Sequence, residues 1–559
     1  MQLNSHIPTL KKSKRLVLLS AVKLHNAGDL VNAKKEYQKL YKSHPNYPEL
    51  RASIAKICAE LSHYEEALYY STEDLKNNPT EPAKLTNLAY IQLQLGLIND
   101  AEKNIALAID INPKRIESYF IKASVLAARG DDQAALKVSL HALSIDPTSS
   151  NALNNLGTTL RKLGDLDSAK IAFESACILN PNLHEPFFNL AAIEALKSNP
   201  QKAIELYKQS LNKTSYTSTD IVARVNYALG FELLKIGQLS EAWEMLDFGF
   251  HPSIPFEYQR SPNRTFPVPR WNGEPLNGQR LLVWGEQGIG DEVLFLTCLP
   301  DLNNIDGYIL VECEPRLVES LSRSFPKIIF RPSSYHHTLG LPPVFDDYNL
   351  HIPMGSLMRI FRNDISDFRK SKPYVAVDSE KADYYEGLLN RVCASRKRIG
   401  ICWRSGKLSG QRNVNYTSLL DWGSIFSLPN SEFINLQYGE CEQELLEAEE
   451  KFGIRILRWP DLDLKIDIDS TFALMSRLDI VVSIDSAVTP MAAAVGLRVL
   501  LMGPKEWHNL GTDFYPWFSN IECVFPQLGG IVAECLSIVS NQLAKESIGN
   551  PPLFQGSQK

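Results

Sequence analysis

The sequence has no C-x-x-C pair, no surplus of basic charge, and no apolar run of the ~18 residues that a membrane-spanning helix needs. Each lack excludes a class of protein. The nine cysteines are odd in number and scattered, which argues against a disulfide frame or a zinc site and for reduced thiols in a cytoplasm. Without a long apolar run no transmembrane segment is expected. The polar, basic start from Met1 to Arg15, with only a short LVLLS after it, does not read as a signal peptide. Lys and Arg number 58 against 64 Asp and Glu, a net charge of −6, so the chain lacks the basic excess that holds domains on nucleic acid. What remains is an ordinary globular composition, 44% hydrophobic and 22% charged, over 559 residues. That length predicts three or four cores at about 100–200 residues per domain.

The N-terminal half is periodic. Pro45, Pro79, Pro113, Pro147 and Pro181 stand 34 residues apart, and Ala33, Ala67, Ala101, Ala135, Ala169 and Ala203 keep the same step. Gly28, Gly96, Gly130 and Gly164 fall five residues before their alanines, and Tyr37, Phe173 and Tyr207 four residues after theirs. Glycine permits a positive φ between two helices. Alanine lets them approach closely, the aromatic fills the space between units, and proline closes the second helix. The period and the order of marks resemble the tetratricopeptide repeat, a helix–turn–helix unit that stacks into an α-solenoid. A sixth repeat lacks its Gly and Pro (Ser198, Ser215), and a seventh around Gly230, Gly237 and Ala242 is displaced. The solenoid is expected over residues 1–250, with a concave groove for a protein or peptide partner. Asn87, Asn155 and Asn189 share one phase of the repeat. They either clamp a bound backbone or, more plainly, tie one repeat to the next. Ser53 and Ile121 interrupt the row.

After Phe250 the pattern changes. Residues 251–279 hold six prolines and three arginines and read as an extended linker. Short apolar runs follow at 280–285, 308–313, 327–330, 398–403, 432–438, 478–485 and 498–503, separated by helical stretches. This is the pattern of parallel sheets covered on both faces. The polar stretch 379–397 divides a first unit (280–395) from a second (396–545), with a tail at 546–559. A cleft at the carboxyl ends of the two sheets is where ligands are expected.

Four segments at those ends are the candidates for carrying chemistry. In GEQGIGDE (285–292) the glycine spacing is GxxGxG, not the dinucleotide fingerprint GxGxxG. Its Asp291 or Glu292 either caps a helix or projects into the cleft as a general base. In VVSIDSAVTPMAAAVG (481–496) a strand leads to Asp485, Ser486, Ala487 and Val488 at a helix start, which either is capped by its own side chains or seats a diphosphate. The loop after Trp403 carries Arg404, Ser405, Lys407 and Arg412, cations that suit a phosphate or form a solvated basic loop. EWHNLGTDFYPWF (506–518) offers aromatics and a lone His508, which either line a base or sugar pocket or are structural.

The segments PVPRWNGEPLNGQRLLVWGEQGIGDE, GICWRSG, FINLQYG, LDIVVSIDSAVTPMAAAVG and DFYPWF occur in an order that resembles bacterial tetratricopeptide proteins with a heptosyltransferase-like C-terminal half. The likeness covers roughly residues 265–525. The resemblance implies a GT-B pair of Rossmann-type domains, the first on the acceptor side and the second binding a nucleotide sugar. It implies inverting transfer from a nucleotide-diphosphate sugar without an obligatory metal or other cofactor. Asp291 matches the family's acceptor base, Asp485 to Val488 its diphosphate turn, and Arg404 to Arg412 its basic donor loop. Where that family has a histidine in the helix after the turn, this chain has Pro490. The expectation is thus a cytoplasmic glycosyltransferase whose repeats recruit the acceptor. The alternatives are a non-catalytic adaptor with a degenerate sugar-nucleotide site and a protein O-GlcNAc-type transferase.

Overall fold

The 34-residue period is a helix-pair period. In the computed structural model, which describes residues 12–547 apart from 28, 46, 77, 215–218, 253, 255–258, 334–345, 371, 394, 407–415 and 528–529, the first half is helical throughout. Six antiparallel pairs are formed by α1 (Lys12–Asn26) with α2 (Leu30–Ser43), α3 (Pro48–Glu60) with α4 (Tyr64–Leu75), α5 (Pro82–Gln94) with α6 (Ile98–Ile111), α7 (Ile116–Ala128) with α8 (Asp132–Ile145), α9 (Ser150–Lys162) with α10 (Leu166–Leu179), and α11 (His184–Leu196) with α12 (Pro200–Lys213). The six periodic alanines are all fully buried in the second helices of these pairs, where a larger side chain would hold the helices apart. Gly164 turns between its helices at φ +84°, and Asp165 after it caps α10 by accepting from the amide of Ser168. The sixth pair makes the same left-handed turn without glycine, at Ser198 with φ +58°. Tyr37, Phe173 and Tyr207 are buried between helices.

Two further helices, α13 (Thr219–Lys235) and α14 (Leu239–Leu246), follow. The chain divides into two compact units, 1–229 with 251–257 and 230–250 with 258–559. The boundary lies inside α13, earlier than the expected residue 250. The physical reason is α14. Its Trp243 donates a 2.7 Å hydrogen bond to the carbonyl of Arg362 and packs edge-on against Trp517, so the helix belongs to the second unit.

The second unit holds two parallel sheets. The first comprises β1 (Arg280–Trp284), β2 (Tyr308–Cys313), β3 (Ile329–Pro332) and β4 (Leu350–Pro353), in the order β3-β2-β1-β4. The second comprises β5 (Lys397–Cys402), β6 (Ser431–Asn435), β7 (Ile456–Leu457), β8 (Ile480–Ile484), β9 (Val499–Met502) and β10 (Ile521–Val524), in the order β10-β9-β8-β5-β6-β7. Counted within each sheet, these are the doubly wound order 3-2-1-4-5-6 and its first four strands. The order reverses between β1 and β4 and again between β5 and β8, which places a ligand crevice past Trp284 in one sheet and past Cys402 and Ile484 in the other.

The proline-rich segment before β1 does more than connect. Arg260 forms an ion pair with Glu286 and reaches Asp247, and Arg264 pairs with Glu312, all five side chains well buried. Arg331 approaches Glu312 from the other side, with its Nε 2.8 Å from the carboxylate. Burial works against the charge on Asp247, but the guanidinium groups of Arg260 and Arg270 overcome it and hold its pKa below the usual carboxylate range. The arginines that mark this segment are therefore its anchors onto the first sheet. The polar stretch after residue 379 is a helix, Ser379–Cys393, whose Lys381 bonds Asp469 at 2.7 Å. Of the expected tail, Glu546 and Ser547 end the last helix, where Glu546 pairs with Arg498 at 2.8 Å; residues 548–559 lie outside the described part. Among the described residues, no helix is long and apolar enough to cross a membrane.

Candidate functional site

The crevice is built where the first turn of α15 (Ile289–Phe295) meets the turn after β8. Gly290 makes the meeting possible, because a Cβ there would lie 3.2 Å from the Cα of Ala487. A crossing segment pins the two sheets at this point. The amides of Tyr374 and Val375 both donate to the carbonyl of Ala494 at 3.0 Å, and the Tyr374 hydroxyl donates to the carbonyl of Val293.

Asp291 is the third residue of α15, half-buried, and accepts a 3.3 Å hydrogen bond from the amide of Gly288. The carboxylate therefore caps its helix and also faces the crevice. Burial raises its pKa; His508 and the Gly288 amide pull it back, and the charges of Asp485 and Glu286 push it up again. Glu292 points the other way. It is buried against Gly285 and accepts from the amide of Glu314 at 2.7 Å, and burial pushes its pKa up to about 8. Of the two acids offered by the motif, Asp291 addresses the second sheet and Glu292 fills the first.

From the second sheet, Asp485 stands exposed beyond β8, with its carboxylate 3.5 Å from Nδ1 of His508. Ser486 turns inward, its Oγ 3.4 Å from both the Cys402 thiol and the Ser483 hydroxyl. Burial raises the Cys402 thiol to about 11, so it is no nucleophile at neutral pH. Ala487 precedes the helix Val488–Ala494, and Val488 is buried. Pro490 occupies the first turn of that helix, where a missing N–H costs nothing.

Of the basic loop, Arg404 and Ser405 lie among the described residues. Arg404 turns its guanidinium onto Glu444 of the helix Glu442–Phe452, with Nε at 3.0 Å, and onto the carbonyl of Glu440 at 2.6 Å. Burial opposes the charge on Glu444, yet Arg404 and the Trp403 indole hold its pKa low. The Arg404 fork is thus spent on fixing its loop. Ser405 is half-buried beside it, and Lys407 and Arg412 lie outside the described residues.

Two residues were not singled out by the sequence reading. Glu506 has its pKa raised by burial, against the pull of Lys235 and His508. Tyr515 is buried, and burial together with Asp485 and Asp291 raises its phenol far above the usual value. Both belong to the aromatic segment 506–518, and their distance in sequence from Asp291 hides the connection.

In the solenoid, Asn87 lines a cavity of about 460 Å³ with Lys84 and Tyr90. Asn155 donates back to the carbonyl of Asn151 in its own helix, and Asn189 donates to the Asn154 side chain of the preceding repeat. Asn189 therefore ties neighbouring repeats, Asn155 satisfies its own helix, and Asn87 faces open space.

Comparison with known proteins bears on the first half most directly. A tetratricopeptide repeat family model matches residues 139–171, and the N-terminal part of this chain carries such repeats. The chain is 28% identical over 455 residues to protein FlbA of Caulobacter vibrioides, covering 77% of this chain and 73% of that protein. It is 23% identical over 167 residues to the protein O-mannosyl-transferase TMTC1 of Homo sapiens, covering 29% of this chain and 19% of that protein. Among solved structures, a tetratricopeptide-repeat protein of Thermus thermophilus is 24% identical, with a TM-score of 0.31, over 33% of this chain and 98% of its own.

Proposed function

We propose that the second unit is a glycosyltransferase of the GT-B type, moving a sugar from a nucleotide-diphosphate donor to an acceptor recruited by the repeats. One observation carries the reading. Asp291, from the first sheet, shares a crevice at the strand carboxyl ends with Asp485, His508 and Tyr515, from the second. In such a site Asp291 takes the proton of the acceptor hydroxyl as its oxygen attacks the anomeric carbon. Its raised pKa brings it nearer the working pH than an ordinary aspartate. The donor's diphosphate is assigned to the turn Asp485–Val488, with the Asp485 carboxylate accepting from a donor hydroxyl. The proton ends on Asp291, the sugar changes hands in one displacement with inversion, and the nucleoside diphosphate leaves.

The repeats suit a peptide or protein, which makes a protein the favoured acceptor. Sugar transfer to protein is also the activity in the human relative's name, but that match covers under a third of this chain, so the reading rests on the crevice. A second reading, an adaptor whose crevice binds a sugar nucleotide without turning it over, is favoured by the pairing of Arg404 with Glu444. One experiment separates them: calorimetry of the full chain with UDP-, GDP- and ADP-sugars, followed by donor hydrolysis and transfer assays. The transferase reading expects binding and turnover in the native chain. In Asp291→Asn it expects unchanged affinity with turnover down at least about 100-fold. Binding without turnover selects the adaptor, and undiminished turnover in Asp291→Asn removes the base.

A further inference from the structure

The repeats are not interchangeable along their shared faces. At one position of the first helix in successive pairs stand Ala52, Thr86, Phe120, Asn154 and Phe188, each 34 residues after the last. Seven residues further on, in the same helices, stand Ala59, Leu93, Ala127, Arg161 and Ala195. Seven residues are nearly two turns, so both positions lie on one helix face. Of α3, α5, α7, α9 and α11, α3 alone carries alanine at both positions, with Ala55 between them. The cavity of about 460 Å³ beside Asn87 is the consequence: the three alanines of α3 line one side, and Ile91 of α5 lines another.

The charges around this cavity cancel in pairs. Lys84 meets the buried carboxylate of Asp74 at 3.1 Å, and Lys56 meets Glu60 at 3.7 Å. A charged ligand group would be desolvated here against ions that already hold their partners, whereas an apolar side chain would bury itself on the alanines and Ile91. Tyr90, hydrogen-bonded to Tyr64, adds an aromatic ring to the lining and is 37% exposed. Asn87 differs from its counterparts. Asn155 and Asn189 spend their carboxamides within the solenoid, while among the described residues Asn87 makes no side-chain hydrogen bond. Its amide offers both a donor and an acceptor to a passing backbone.

We infer that this cavity is the anchor site of the acceptor polypeptide. It receives one large apolar side chain of an extended, uncharged segment, and Asn87 pairs with the backbone beside that side chain. The inference rests on the proposed reading that the repeats recruit a polypeptide acceptor; it takes nothing from the chemistry of the crevice.

The test selects peptides on the full chain from a phage-displayed library of random dodecapeptides and measures the selected peptides by fluorescence anisotropy. They are expected to share a Leu, Ile, Met, Phe or Trp without charged neighbours. Ala52→Phe and Ala59→Leu place in α3 the residues that α7 and α5 already carry at those positions, so the repeat tolerates them. Each is expected to weaken binding about 10- to 100-fold, and Asn87→Ala about 3- to 10-fold. Ala195→Leu, the same change in α11, is expected to leave peptide affinity unchanged. Peptides that bind Ala52→Phe and Ala59→Leu as tightly as the native chain, or that weaken equally in Ala195→Leu, overturn the assignment and leave recruitment standing. So do selected peptides anchored by a charged residue. A change in the chain's own sedimentation in Ala52→Phe, without peptide, makes the cavity an interface between copies and also overturns it. If the library yields no binder, the reading that the repeats recruit a polypeptide fails, and this inference with it.

Discussion

Burial raises two adjacent carboxyls on α15, and their surroundings give them different work. Glu292 is buried and keeps its proton up to about pH 8, while in the unfolded chain it loses that proton near 4.5. The folded chain therefore binds more protons between those values, and stability falls as pH rises across that window. Chemical denaturation at pH 5.5 and pH 8.5 is expected to show the fold weaker at the higher value. Glu292→Gln, which still offers an acceptor to the amide of Glu314, is expected to flatten the difference by roughly 1–3 kcal/mol. Asp291 has the Gly288 amide and the field of His508 to moderate its shift, and it faces the crevice. Its replacement by Asn is expected to leave thermal stability within about 1 kcal/mol, since the amide oxygen can keep the cap. A large fall in melting temperature would mean that this carboxylate is chiefly structural.

Among the elements, two glycines test the packing. A Cβ on Gly157 in α9 would lie 2.7 Å from the buried ring of Phe173. Alanine gains about 0.5–1 kcal/mol in a helix, but overpacking costs about 1–3 kcal/mol. Gly157→Ala is therefore expected to lower the solenoid's unfolding temperature by a few degrees, read by circular dichroism. Gly290→Val is expected to push α15 away from Ala487 and cut turnover about 10- to 100-fold with a smaller loss of stability. Equal turnover would show that the close approach of the two turns is dispensable. The elements also show what a sequence can reveal. The repeats were legible because each of their marks has one geometric cause repeated at a fixed step. The interior strands were legible because burial on both faces demands continuous apolar runs. β4, β7 and β10 were not, since all three are edge strands of two to four residues, and LHIP or IECV carries too little apolar signal. The arginines of the linker were visible, but their partners Glu286 and Glu312 are distant in sequence. The pairing of Arg404 with Glu444 was hidden for the same reason, as was the meeting of Asp291 with His508 and Tyr515.

At the scale of the whole molecule, the chain joins a solenoid of helix pairs to a unit with two doubly wound sheets. Three of the four motifs expected to carry chemistry follow the strands β1, β5 and β8, which flank the reversals in sheet order. The account stands on a sugar nucleotide occupying the crevice between those sheets. Hydrogen–deuterium exchange on the full chain, with and without UDP-, GDP- and ADP-sugars, tests this directly. The account predicts that at least one of them slows exchange together at 285–291, 485–491 and 503–509. If none slows exchange in any of the three segments, the central claim is contradicted.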